Sequence, residues 1–328
     1  MNTELLDKLK ELSQKEISLS DLCKMLNLNE YEILNLIAEL RKEGINISTK
    51  QKDDDIYMFN QGEKEPLNEN TYSFQTDKNH EIKFAVISDT RIGSKSQQLS
   101  ILNDMYANAK KLGITHVIHC GNISEGLYPI NTKYANTLFL DDTLRQAQYI
   151  IDKYPLVEGI KTYFITGVKD ETHLKTNKIN LGKRISDMRE DMIYLGENTC
   201  TISIDKIKML LLNLNLGKTY TSSYRPQQMI NSFRSEDKPD IMLYGGLLQM
   251  EKFTHRDVQC ITVPSVTATT QEMIQKRYSN TIGVWYITIK TNEKGNLESI
   301  RAVTSPYYLT NKDDYIKAKV LRLTKEVK

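Results

Sequence analysis

Hydrophobic residues in the first sixty positions recur at helical spacing. Leu5, Leu9 and Leu12 are four and three apart, Ser20 precedes DLCKMLNL, and Asn29 precedes EYEILNLIAELRKEG, where Ile33, Ile37 and Leu40 share one face. Three helices are predicted. Gly44 is the expected stop of the third, and Ile45, Ile47, Ile56 and Tyr57 flank a charged turn, KQKDDD, in the pattern of a hairpin. Asn60 to His80 is polar, contains Pro66 and reads as a linker with at most one short extended piece. From Glu81 the pattern changes to short apolar runs: KFAVIS (83–88), THVIHC (115–120), TYFITG (162–167), CTISI (200–204), KMLLLNL (208–214), DIMLYG (240–245), VQCITV (258–263) and VWYITI (284–289). These predict strands, with helices at 97–112, 142–153, 178–191 and 222–234. Alternation early and strands later predict an α/β layered sandwich with mixed sheets.

The organisation expected is therefore a helical domain at 1–62, a linker at 63–82, a larger domain at 83–309 and a tail at 310–328. After Asp314 that tail carries five Lys or Arg against one Glu. A chain of 328 residues accommodates two domains. No apolar run approaches the roughly 18 to 20 residues that a membrane helix needs, and MNTELLDKLKELSQKE mixes charge into its apolar positions, unlike a leader peptide. A cytoplasmic location without membrane contact is expected. Cys23, Cys120, Cys200 and Cys260 show no CxxC pairing and are expected as reduced core thiols. The net charge of +2 advertises no global nucleic-acid field; residues 1–62 carry −4 and the remainder +6, so any such contact must come from local patches.

The order helix, helix, helix, hairpin over residues 3–60 resembles a winged helix-turn-helix. The resemblance implies that the third helix enters a major groove with its first exposed turn, Asn29, Glu30, Tyr31, Glu32 and Asn35, at the bases. Two of these five are acidic and repel phosphate, while Arg41, Lys42, Lys50 and Lys52 are placed to position a duplex. The DNA-contact set expected is thus Asn29, Tyr31, Asn35, Arg41, Lys42, Lys50 and Lys52. The partner expected is double-stranded DNA; a packing or dimerisation module, giving a homodimer or another protein partner, stays open.

In the larger domain, KFAVISDTRIG, HVIHCGNISEG, FITGVKDETH, LLLNLNLGKTYTSSYR and PDIMLYGGLLQ follow one another in the order of the five blocks of the calcineurin-like metallophosphoesterase superfamily. Those blocks read DxHxG, GDxxDG, GNHDxxH, a His ahead of a Gly-rich stretch, and GHxH. The resemblance spans residues 83–290 and is closer to phage-type and archaeal-type members, with Tyr220, Ser223, Tyr224 and Arg225 after the Gly-rich segment. It implies a four-layer α-β-β-α sandwich and two divalent ions about 3.5 to 4 Å apart, held by a bridging carboxylate, other oxygen ligands and imidazoles. Residue by residue the correspondence breaks. Asp89 keeps the first carboxylate, but the following His is Arg91, the bridging Asp is Asn122, and the Asn and His of GNHD are Val168 and Lys169. Asp170 and His173 survive from that block, the isolated His is Asn213, and the closing pair is Gly246 and Leu248. One of seven expected metal ligands remains, and Arg91 and Lys169 repel cations. The expectation is a pseudo-phosphoesterase with no catalytic residue, metal or cofactor. The resemblance, with the Lys, Asn and Ile bias, points to a phage or other mobile element. The inactive phosphoesterase-like subunits of replicative polymerases place the chain by analogy in transcription or replication.

A buried Asp89 without metal needs a counter-charge. Arg91 or Lys169 supplies it as an internal ion pair, or Arg91, Lys169 and Arg225 form a cationic pocket for a phosphate. Two alternatives remain: a phosphodiesterase or nuclease using one metal on Asp89, Asn122 and Asp170 with Lys169 stabilising charge, and a protein adaptor without nucleic acid. His116 and His119, three apart in a strand, point to opposite faces and make no metal pair; His173 and His255 are isolated. LNLGKT, around Gly217, lacks the first glycine of a P-loop. Tyr72, Phe74, Tyr220, Tyr224, Tyr307 and Tyr308 are candidates for base stacking, with packing the default for a chain of 18 tyrosines.

Overall fold

A computed structural model describes residues 3–12, 17–42, 45–52, 55–63, 72–129, 132, 134–213, 221–235, 237–311 and 314–315. The chain divides into two compact units, Met1–Glu69 and Asn70–Lys328.

The first unit contains helices Thr3–Leu12, Leu19–Leu26 and Glu30–Lys42, and an antiparallel sheet in which Asp55–Glu63 lies between Ile17–Ser18 and Ile45–Lys52. Leu9, Leu22, Ile33, Ile37, Leu40 and Met58 close its core. The second helix begins two residues before the expected Ser20. Ser18 is its cap, accepting the Asp21 N–H at 3.1 Å, because Leu19 belongs to the buried face of the first turn. At the third helix, Asn29 Oδ1 accepts the Glu32 N–H at 3.0 Å while the Glu32 carboxylate accepts the Asn29 N–H at 2.9 Å. That reciprocal box fixes where the helix starts.

The second unit is built on two six-stranded sheets. In the first, Glu81–Ile87, His116–Cys120, Lys161–Thr166 and Met192–Glu197 run parallel, and Gly283–Thr291 and Leu297–Pro306 extend it antiparallel. In the second, Ile207–Leu212, Ile241–Tyr244 and Val258–Thr262 run parallel, flanked by Glu251–His255 on one side and by Thr199–Ile204 and Tyr72–Phe74 on the other. Facing residues from both sheets, among them Val86, Ile118, Ile165, Leu211, Leu243 and Ile261, share one core. Trp285 crosses it, donating its indole N–H to the Thr262 carbonyl at 2.9 Å. Helices Leu99–Lys111, Thr143–Lys153 and Leu181–Met188 cover the outer face of the first sheet, and Tyr224–Ser232 that of the second. Burial on both faces is why the central strands read as continuous apolar runs.

The short extended piece allowed for in the linker is Tyr72–Phe74, which pairs in parallel with Thr199–Ile204. Two other expectations change. The helix expected at 178–191 is the shorter Leu181–Met188, capped by Asn180 accepting the Lys183 N–H at 3.0 Å, and a helix not expected from the pattern, Glu171–Asn177, precedes it and ends where Lys178 takes φ 57°. The tail from 310 is tied down at its start. Asn311 donates its N–H to Gln98 Oε1 at 2.7 Å, and the Asp314 carboxylate accepts from Ser100 N and Oγ at 2.8 and 2.9 Å. Residues 316–328 lie outside the described set.

Asp314 thereby caps helix Leu99–Lys111, whose own N-cap, Gln98, makes no side-chain capping bond to the helix. Asp314→Ala is expected to lower stability by about 1 kcal/mol, the usual worth of a cap. Urea unfolding with an unchanged midpoint would show that this anchor contributes nothing.

Candidate functional site

The loops leaving the carboxyl ends of the strands converge, as ligand-bearing loops of α/β sheets do. They carry Asp89 and Arg91, Asn122, Val168 to Asp170, Asn213, and Gly246 to Leu248. Asp89, Arg91, Asn122 and Leu248 all adopt left-handed backbone, with φ of 50°, 44°, 57° and 62°. Each such residue costs of order 1–3 kcal/mol and is held there only by its surroundings.

Asp89 is the centre of those surroundings. It is fully buried. Its Oδ1 accepts Arg91 Nε and Nη2, both at 3.0 Å, and Asn122 Nδ2 at 2.9 Å, while Oδ2 accepts the Gly246 N–H at 3.0 Å and lies 2.9 Å from Ser88 Oγ. Burial alone lowers the affinity of Arg91 for its proton, but the charges of Asp89 and then Glu125 outweigh it and raise its pKa. Asn122 works through both ends of its amide, since its Oδ1 accepts the Lys169 backbone N–H at 2.9 Å. An aspartate there would set a second carboxylate against Asp89 and offer it no donor. Lys169 Nζ in turn donates to Glu125 Oε1 at 2.8 Å and to the Tyr128 hydroxyl, and Tyr128 donates to Glu125. At the rim, Lys276 pairs with Glu272 at 2.6 Å and lies over the Tyr134 ring. Each cation of the group thus has a carboxylate partner.

Asn213 fills the space behind Asp89 and donates Nδ2 to the Cys120 carbonyl at 2.6 Å. A Cβ on Gly121 or Gly167 would approach it to 2.7 or 2.6 Å, so both positions need glycine. Leu248 is buried, and Val168 is half-buried in the turn before Lys169. Asp170 staples two loops by accepting Ile123 N, Ser124 N, Ser124 Oγ and Gly167 N at 2.7 to 3.1 Å.

His173 completes a contact chain with Ser124 and Asp170 that has the membership of a catalytic triad but the wrong wiring. Ser124 Oγ gives its hydrogen to Asp170, so His173 Nε2 is the donor at its 3.0 Å contact with Ser124, and Nδ1 accepts from Thr143 at 2.9 Å. The imidazole is therefore not the base that faces the hydroxyl. His119 is wired alike: Thr90 Oγ1 donates to the Ile123 carbonyl, His119 Nε2 donates to Thr90, and its buried Nδ1 has no partner among the described residues. His116 turns to the other face, among Phe74, Phe84 and Tyr163, and His255 meets Asn231.

These residues do not fit a two-metal centre, nor a single ion on Asp89, Asn122 and Asp170. The Asp89 oxygens face five donors, the Asn122 oxygen holds Lys169, and Asp170 is spent on loop N–H groups. Among the described residues no group of three or more His, Cys, Asp or Glu is placed to hold a metal.

Arg225 is not brought to this cluster by any contact among the described residues. It acts on Tyr244, which packs on the outer face of the second sheet, and its buried Nε has no hydrogen-bond partner among the described residues. In the first unit the Asn29 side chain is used in its cap, while Tyr31 is 73% exposed and Asn35 is exposed. The side chains of Arg41, Lys42, Lys50 and Lys52 lie outside the described set, as do Gly217 and Tyr220. Of the stacking candidates, Phe74 is core, Tyr72 bonds the Tyr194 carbonyl and Tyr307 bonds Asp104; Tyr224 and Tyr308 are exposed. No disulfide joins the four cysteines among the described residues. Sequence reasoning missed Glu125 and Tyr128. Glu125 stands at the second acidic position of the GDxxDG block, which was the available signal.

No family model matches the chain and no curated protein does. Among solved structures it is similar to an archaeal phosphodiesterase, at 13% identity and a TM-score of 0.38, over 68% of this chain and 100% of that one. It is also similar to Vps29 of Entamoeba histolytica, solved with zinc, at 12% identity and a TM-score of 0.36, over 69% of this chain and 99% of that one. A third likeness is to a 5'-nucleotidase precursor of Thermus thermophilus, at 9% identity and a TM-score of 0.37, over 75% of this chain and 59% of that one. At these overlaps the likeness carries nothing about reaction or partner. No helix among the described residues is long and apolar enough to cross a membrane.

Burial pushes His119 and His173 from 6.5 down to about 4. A depressed folded value means that their contribution to stability is whole above pH 6.5 and is lost as pH falls through about 4. Asp170, raised by burial from 3.8 to about 6, has the opposite sign: its contribution is whole below pH 3.8 and is lost as pH rises through about 6. Two imidazoles against one carboxylate leave a net loss on acidification. Melting temperature is expected to fall from pH 6.5 towards 4, and less steeply in His173→Gln; an identical slope in that variant would contradict the assignment.

Proposed function

We propose that this chain is a phosphoesterase-like protein that does not hydrolyse phosphoesters, and that its first unit is a winged helix through which it acts on DNA as a regulatory or scaffolding protein, alone or as a homodimer. The observation that carries the non-hydrolytic half is the Asp89 carboxylate. Arg91 and Asn122 hold it from its own side and Gly246 from the second sheet's loop, so the position that begins a metal cage ends as an ion pair. Two-metal hydrolysis needs anionic oxygens free to accept dications, and a guanidinium fork on the same oxygen opposes that. The block order along 83–290 supports descent from such a hydrolase, and the helix, helix, helix, hairpin order supports the winged-helix reading.

A second reading, docking of a protein by the third helix, is favoured by one feature. Tyr31 and Leu34, 73% and 42% exposed, flank Glu32 and share the helix with Glu30. Apolar groups among carboxylates suit a basic protein surface better than a phosphate backbone.

Two measurements test the proposal. With manganese, hydrolysis of a chromogenic phosphodiester is expected to stay at the buffer rate, and a rate that Asp89→Asn abolishes would show a working catalyst. Duplex DNA is expected to be shifted at about 50 mM salt and released by about 200 mM, as phosphate-dominated binding requires. Failure to shift at low salt would leave the protein-docking reading.

A further inference from the structure

We propose that Arg91, Lys169 and the Tyr128 hydroxyl form an oxyanion site that Glu125 of the same chain fills, and that a phosphate-bearing ligand binds there by displacing the Glu125 carboxylate. The inference rests on the metal-free reading of the site and names what its cations are for.

Glu125 lies on the loop after strand His116–Cys120 and is 5% exposed. Its Oε1 takes Lys169 Nζ at 2.8 Å and the Tyr128 hydroxyl at 2.5 Å. Arg91 is near enough for the Glu125 charge to act on it. Arg91 spends Nε and Nη2 on Asp89, and among the described residues its Nη1 makes no hydrogen bond. Lys169 and the Tyr128 hydroxyl thus hold the carboxylate directly while the Arg91 charge acts on it, a donor set of the kind that holds a bound oxyanion. The site is not sealed, since the Arg91 and Lys169 side chains are 11% and 23% exposed.

The charges explain why exchange is feasible. Arg91 is balanced by Asp89 and Lys169 by Glu125, so an incoming anion replaces one negative group with another. The exchange leaves the loop in place. The Glu125 N–H is bonded to the Ile92 carbonyl at 2.9 Å, and only the side-chain torsions need turn. Glu272, whose charge reaches Arg91 and Lys169, has Lys276 as its own partner and does not enter the exchange. A tethered carboxylate competes as an intramolecular ligand, so its removal raises apparent affinity by the reciprocal of the open fraction.

Calorimetric titration of the full chain in EDTA with inorganic phosphate and with a nucleoside monophosphate tests this. If the site is open a tenth of the time or less, Glu125→Gln binds phosphate about tenfold tighter than the parent or better. Adding Lys169→Gln removes the gain. Glu125→Asp, which keeps the charge but shortens the reach, gives a smaller increase and serves if Glu125→Gln melts without cooperativity. Equal affinity for the two probes assigns the ligand as free phosphate and tighter binding of the nucleotide assigns a nucleotide; either supports the site. Unchanged affinity in a cooperatively melting Glu125→Gln chain overturns the anion site alone, whereas a gain seen only with manganese overturns the metal-free reading beneath it.

Discussion

A carboxylate at the centre of a protein must be neutralised, and the site of this chain is organised around how Asp89 meets that demand. Leaving a buried charge uncompensated costs several kcal/mol. Arg91 answers with two donors on one oxygen, and Asn122, Ser88 and Gly246 take the remaining acceptor capacity. The arrangement also explains the left-handed backbone at Asp89, Arg91 and Asn122, which turns these side chains inward from strand ends. Because Gly246 belongs to the loop after Ile241–Tyr244, the same carboxylate joins the loops of the two sheets.

From that choice the neighbouring residues follow. An amide at 122 is the group that can donate to Asp89 and accept from Lys169 at once. Lys169 then points its ammonium away from Asp89 to Glu125, and the site becomes a set of paired charges rather than a cage of like ones. The proposed function rests on that inversion. Negative groups that face inward to bind dications suit hydrolysis; positive groups with displaceable partners suit recognition.

Much of this is legible in the sequence, for physical reasons. Strands such as KFAVI and HVIHC are buried on both faces and show as unbroken apolar runs, and the residues at their ends mark the converging loops. Strands Met192–Glu197, Glu251–His255 and Leu297–Pro306 lie at or beside sheet edges, where half-exposed positions erase the pattern. Arg225 groups with Arg91 by its place in a sequence block, but helix Tyr224–Ser232 carries it to the outer face of the second sheet. Glu125 carries a signal in the second acidic position of the GDxxDG block, but its role as the partner of Lys169, 44 residues away, emerges only when the two loops meet.

The most direct test is a double-mutant cycle between Asp89 and Arg91, read as unfolding free energy in EDTA. Arg91→Met alone is expected to cost roughly 3–5 kcal/mol, since it strands a buried carboxylate, and Asp89→Asn in the same chain is expected to recover much of that loss. Costs that add to within about 0.5 kcal/mol would contradict the account, because the two residues would then be independent and something other than Arg91 would be balancing Asp89.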